Sequence, residues 1–208
     1  MATVREVKYP TSDGRPMAET DVHRDDMMEL IETLKRHFAP DPQVYVSGNL
    51  LLFYVPGDRR RHVSPDVFVV RGVPMRQRDN YLLWEEGKGP DVVIELTSRS
   101  TRREDLDVKF KLYRDVLKVS EYFLFDPRAE YLDPPLQGYR LRQGEYVPLR
   151  RVKGRLPSKV LGLHLERSGQ RLRLHDPATD QWLPTLEEIN AALRREIEEL
   201  RRQAGRAP

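Results

Sequence analysis

Apolar residues recur along this chain in blocks whose spacing changes from one block to the next, and each change marks an element. Beyond a cap at Thr20 or Asp21, Met27, Leu30, Ile31 and Leu34 share one face of a 3.6-residue repeat. They predict a helix to about Phe38, stopped by Pro40 and Pro42. The residues before about Ala18 show no period. Two strand-like runs follow, Val44-Tyr45-Val46 and residues 49–55, hinged at Ser47-Gly48. After a turn at Pro56-Gly57-Asp58 a third run covers residues 63–70, and a polar loop then leads through Trp84 to a fourth at 92–97. Thr101-Arg102-Arg103-Glu104 has the capping-box pattern. Leu106, Phe110, Tyr113 and Leu117 form the buried stripe of a helix behind it. A buried strand at 121–126 completes a strand–helix–strand unit, which predicts a parallel pair with a right-handed crossover.

The pattern then loosens. Tyr139-Arg140-Leu141-Arg142 and Glu145-Tyr146-Val147 alternate around Gln143-Gly144 and predict a hairpin. Residues 161–165 and 171–174 read as short edge strands. A second capping box, Thr185-Leu186-Glu187-Glu188, opens a terminal helix with Leu186, Ile189, Leu193, Ile197 and Leu200 in a near-heptad stripe. There are no internal repeats. The reading is an α/β (α+β) domain over 1–184, with a C-terminal helix and tail over 185–208.

Against this frame one residue is out of place. Glu95 lies inside the apolar run Val92-Val93-Ile94-Glu95-Leu96, where a carboxylate is costly unless something positive meets it. Asp66 opens the neighbouring run, and two acids on adjacent strands with a lysine arriving from the next helix suit a divalent metal. Asp91, Val93, Glu95 and Thr97 share one strand face. Asp91 is roughly 13 Å from Glu95 by strand rise, so it reads as a strand-entry acid rather than a ligand. Lys109 lies at the margin of the following helix's buried stripe. It either reaches the acidic pair along its aliphatic stem or stays at the surface beside Asp105. His23, on the inner face of the first helix, reads as a core or capping histidine ahead of a catalytic one. Tyr81 and Trp84 read as loop anchors more than as stacking platforms for a base.

Composition adds bounds. The chain has 208 residues and no Cys, which removes disulfides and thiolate ligands and makes the cytoplasm the default expectation. No apolar run is long enough to span a bilayer, and Met1 to Glu6 lack the core of a signal peptide. A net charge of +3 does not by itself imply nucleic acid. Basic residues do bunch at Arg59-Arg60-Arg61 and from Arg99 to Arg103, beside the two acidic strands, where they meet either phosphates or water.

The segments Glu19 to His23, Pro65 to Val70, Pro90 to Ser98, Asp105 to Tyr113, Glu121 to Pro127, Leu136 to Tyr139 and Leu161 to Leu163 together resemble the Uma family of restriction-endonuclease-like proteins, a branch of the PD-(D/E)XK nuclease superfamily. The resemblance implies a mixed central sheet flanked by helices, with Asp66 and Glu95 as ligands of Mg²⁺, or Mn²⁺ in its place. The superfamily lysine two residues after the acid is Thr97 here. The resemblance therefore makes Lys109 its replacement and adds His23 to the site. The implied activity is metal-dependent hydrolysis of phosphodiesters in double-stranded DNA. The alternatives are a binding or interaction module without catalysis, and a structural protein dimerising through its terminal helix. That helix docks on its own domain or on a second copy, and a homodimer would suit a reaction that cuts two strands.

Overall fold

The computed structural model describes residues 8–12, 14 and 20–204. The first six residues, most of the aperiodic N-terminal stretch and Glu19 lie outside them. In chain order the elements are α1 (Asp21–Phe38), β1 (Val44–Ser47), β2 (Leu52–Phe53), β3 (His62–Val63), β4 (Val67–Arg71), β5 (Tyr81–Leu82), α2 (Leu83–Glu86) and β6 (Val92–Leu96). A wide helix over 102–116 comes next, with π-helical turns at Glu104–Lys109 and Leu112–Val116. Then come β7 (Glu121–Phe125), β8 (Leu136–Arg142), β9 (Glu145–Pro148), β10 (Leu156–Pro157), β11 (His164–Ser168), β12 (Arg171–Asp176), β13 (Gln181–Trp182) and α3 (Leu186–Ala204).

Six strands form a mixed sheet in the order β1-β4-β6-β7-β8-β9, antiparallel throughout except for the parallel β6–β7 pair that the wide helix connects. Strand alternation divides the core. Val67, Val69, Val92, Ile94 and Leu96 face α1 and the sheet β10-β11-β12-β13. Phe68, Val93, Tyr122 and Leu124 face Tyr113, Leu117 and the partly buried Leu106 and Phe110 of the wide helix. Glu95 shares the parity of Val93 and so points toward the wide helix. Among the described residues no helix is long and apolar enough to cross a membrane.

Thr20 caps α1 by accepting from the His23 N–H at 3.3 Å, and Lys35, Arg36 and His37 sit in its last turn, where the helix dipole favours cations. The hairpin forms at Gln143-Gly144, both with positive φ (51° and 87°), the turn whose twist matches that of its strands. The capping box at Thr185 is complete: the Glu188 N–H donates to Thr185 Oγ1 at 3.1 Å, and the Thr185 N–H to Glu188 Oε2 at 2.8 Å.

Four expectations are corrected. The run over 49–55 is strand only at Leu52–Phe53, which leaves the main sheet to pair with β3 and β5. The run over 63–70 is broken at Ser64-Pro65-Asp66, because β3 belongs to that small sheet and β4 to the large one. The helix behind Thr101 starts as expected, with the Asp105 N–H donating to the Thr101 carbonyl at 3.0 Å, but the box itself is not made: the Thr101 hydroxyl turns back to accept from the Ser98 N–H at 3.0 Å. The strands of the 161–174 region are the inner strands β11 and β12 of a second sheet, and β11 starts at His164, after a turn.

Candidate functional site

The break before β4 is where the site begins. Pairing of β4 with β6 ends at Val67 and Ile94, one step short of Asp66 and Glu95. Beyond it the ladder hydrogen bonds are replaced by side chains. The Leu96 N–H donates to Asp66 Oδ2 at 2.8 Å, and the Asp66 N–H donates to Glu95 Oε2 at 3.3 Å. Each carboxylate thus takes the backbone N–H of the opposite strand, a reciprocal latch. Gly48 makes room for it: a Cβ there would lie 1.9 Å from the Asp66 carbonyl oxygen and 2.6 Å from Ile31 Cδ1.

The wide helix crosses above with Asp105, Lys109 and Tyr113 four residues apart. Lys109 Nζ donates to Glu95 Oε2 at 3.0 Å and lies 3.2 Å from Asp105 Oδ1, so both contacts weighed for Lys109 in the sequence are made at once. The Tyr113 hydroxyl donates to Glu95 Oε1 at 2.6 Å. Asp105 Oδ2 accepts from Thr97 Oγ1 at 2.7 Å, and Thr97 in turn contacts the Tyr131 hydroxyl. Thr97, two residues after Glu95, therefore braces the residue that holds Lys109. From the opposite side α1 brings His23 Nε2 to 3.5 Å from Asp66 Oδ2.

Burial sets the electrostatics. Glu95 exposes none of its side chain, Lys109 13% and Asp66 16%, so solvent reaches the site at Asp66 and Lys109 but not at Glu95. Burial, with the neighbouring charges of Asp66 and Asp105, drives the Glu95 carboxyl well above its ordinary range against the pull of Lys109. Burial acts upward on Asp66 too, but the His23 hydrogen bond and the Lys109 charge hold it below the usual carboxylate range. Burial would favour a neutral Lys109, yet the three surrounding carboxylates outweigh it and keep the ammonium charged. Burial keeps Tyr113 protonated, and therefore a donor to Glu95.

Asp66, Glu95, Lys109 and His23 thus lie together. Asp91 does not join them; its Oδ2 accepts from the Arg71 N–H at 2.7 Å and lies 2.8 Å from Lys88 Nζ. Tyr81 is buried, with its hydroxyl donating to the Lys88 carbonyl, an anchor rather than a base platform. Sequence reading placed Tyr113 only in the apolar stripe and missed Tyr131. The signal for Tyr113 was its spacing, four residues after Lys109 and eight after Asp105. Tyr131 lies in a loop with no periodicity to reveal it. Among the described residues, no group of three or more His, Asp and Glu is placed to hold a metal. The donor set at this site is two carboxylates. That set fits Mg²⁺, which binds through one or two carboxylates and keeps several waters, better than Ca²⁺ with its six to eight oxygens.

A mixed sheet with two acids where adjacent strands part, overlaid by a lysine-bearing helix, is a restriction-endonuclease-like fold. The chain belongs to the Uma2 family, described as "Putative restriction endonuclease", whose model matches residues 3–174. Its fold is similar to the crystal structure of a "putative nuclease belonging to DUF820" from Anabaena variabilis, with a TM-score of 0.52 and 18% identity, covering 73% of this chain and 80% of that one. No curated protein matches the chain.

Proposed function

We propose that the protein is a metal-dependent endonuclease that hydrolyses phosphodiester bonds in double-stranded DNA, with Asp66 and Glu95 as ligands of Mg²⁺ or Mn²⁺. The observation that carries this reading is the buried carboxylate Glu95 held beside Asp66 with the Lys109 ammonium 3.0 Å away, an arrangement costly for stability alone. The metal, when bound, would lower the pKa of a bound water and offset charge on the phosphate. Lys109 would orient the attacking water and meet the developing negative charge. Asp105 keeps that ammonium in place when Glu95 turns to a cation. Tyr113 fixes the Glu95 carboxylate from behind, and His23 favours the ionised form of Asp66. The exposed Arg59, Arg60, Arg61, Arg99, Arg102 and Arg103 are available to phosphates. Two scissions per duplex would be met by two copies of the chain.

Plasmid cleavage tests the proposal. Wild-type protein with Mg²⁺ or Mn²⁺ is expected to nick and linearise supercoiled DNA, while added chelator or Asp66→Ala abolishes cleavage. Retained DNA binding without cleavage under any divalent metal would leave a binding module on a nuclease scaffold.

A further inference from the structure

The root of α3 is fastened to the domain. Arg173 meets Glu188 at 2.9 and 3.0 Å, Arg36 donates to the Pro184 carbonyl, and Leu183 packs against the core. Beyond this root no residue of the helix is buried. Leu186, Leu193, Ile197 and Leu200 are about half exposed, at 51%, 50%, 48% and 57%, so of the stripe the domain covers only Ile189, and that in part. The family match stops at residue 174, before this helix.

We infer that this face pairs with the same face of a second copy, as a short parallel two-stranded coiled coil. The inference deepens the two-copy element of the proposed function, but its tests need no nuclease activity. In heptad terms Leu186, Leu193 and Leu200 occupy d, while Asn190 and Ile197 occupy a. Leucine at d with a β-branched residue and one asparagine at a is the pattern that favours two parallel strands. Asn190 sets the register. In a parallel pair it faces its own counterpart and the two amides bond each other, whereas an antiparallel pair would set it against leucine with its polar atoms unmet. Charge agrees, because Glu196 at g stands opposite Arg201 at e of the partner in the parallel arrangement. A lipid surface fits less well. The helix carries five Glu (187, 188, 196, 198, 199) against four Arg (194, 195, 201, 202), whereas surface-seeking helices are rich in cations.

Two heptads make a weak seam, so association is expected at about 10–100 µM rather than at nanomolar concentration. Sedimentation of the intact protein up to about 200 µM should show reversible dimers, and Leu193→Glu should abolish them. Asn190→Leu should tighten association at least about tenfold, through loss of a buried polar group. The natural absence of cysteine permits a direct geometric test. Under mild oxidation Leu200→Cys should give a disulfide-linked dimer, because parallel d positions face each other, while Arg195→Cys on the outer face should not. A chain monomeric at every concentration would overturn the inference. So would dimers that survive Leu193→Glu, or equal cross-linking at residues 195 and 200. A dimer that Leu200→Cys fails to cross-link would overturn the parallel register.

Discussion

Replacing Glu95 by Gln tests the site through stability as well as activity. The amide can keep two contacts and reverse the third: its oxygen accepts from Lys109 and Asp66 N–H at the Oε2 position, while its nitrogen donates to the Tyr113 hydroxyl, which in the wild type donates to Oε1. What changes is charge. Once ionised, as at pH values above its raised pKa, a fully buried carboxylate carries an effective desolvation cost of several kcal/mol. Turning its charge-assisted bonds into neutral ones gives back about 1–1.5 kcal/mol each, and Lys109 retains Asp105. The balance favours Glu95→Gln by about 1–2 kcal/mol, or a Tm higher by about 3–6 °C for a chain of this size. The sign follows from the raised carboxyl: the folded form holds its proton while the unfolded one releases it, so wild-type stability falls as pH rises above the ordinary glutamate value. The gain should therefore grow as pH rises above the ordinary glutamate range. Thermal unfolding in chelator and then in Mg²⁺ provides the assay. A metal at about ten times its Kd should stabilise the wild type by about 1.4 kcal/mol and the variant by little or nothing. Cleavage by Glu95→Gln, or a metal-induced shift equal to that of the wild type, would refute Glu95 as a ligand. A variant less stable than the wild type at pH 8 would refute the electrostatic argument.

Lys109→Ala should lose cleavage yet keep the Mg²⁺-induced rise in Tm, whereas Asp66→Ala should lose both; parallel plasmid and unfolding assays separate the two roles. Gly48→Ala forces a methyl against the Asp66 carbonyl, and should cost about 2–4 kcal/mol in urea unfolding and remove activity with it. Asp26, buried in α1 and 3.6 Å from the half-exposed Arg171, has its carboxyl pushed up to about 7 by burial. Wild-type stability should consequently fall as pH rises from 3.8 toward 7, by about 4 kcal/mol at most and about 1–3 after relaxation. Asp26→Asn should flatten that decline, and parallel stability profiles for the two proteins would contradict it.

The elements that hydrophobic periodicity specifies were legible. The stripe of α1, the buried runs β6 and β7 and the helix between them follow from burial patterns local to each segment. What the sequence hid depends on partners distant along the chain. Nothing local tells that Leu52 leaves the main sheet for Val63 and Tyr81, or that β11 and β12 build a sheet of their own beneath α1. At the site Glu95 announced itself as a charge in an apolar run. The pairing of Asp105 with Thr97 did not: strand alternation puts Thr97 on the face of Glu95, but a helical acid is ordinary on a surface, and only the wide helix packed on the sheet turns Asp105 onto it.

The reciprocal latch between Asp66 and Glu95 has a kinetic corollary. Its hydrogen bonds span 29 and 30 residues, and Lys109 arrives from a third segment. No hairpin or nascent helix carries the site alone. It comes into being when β4 zips onto β6 in one register, and a slip of one residue would turn the two acids to opposite faces. An incompletely folded chain therefore lacks the Asp66–Glu95–Lys109 cluster altogether, and the cluster is assembled only as the sheet closes.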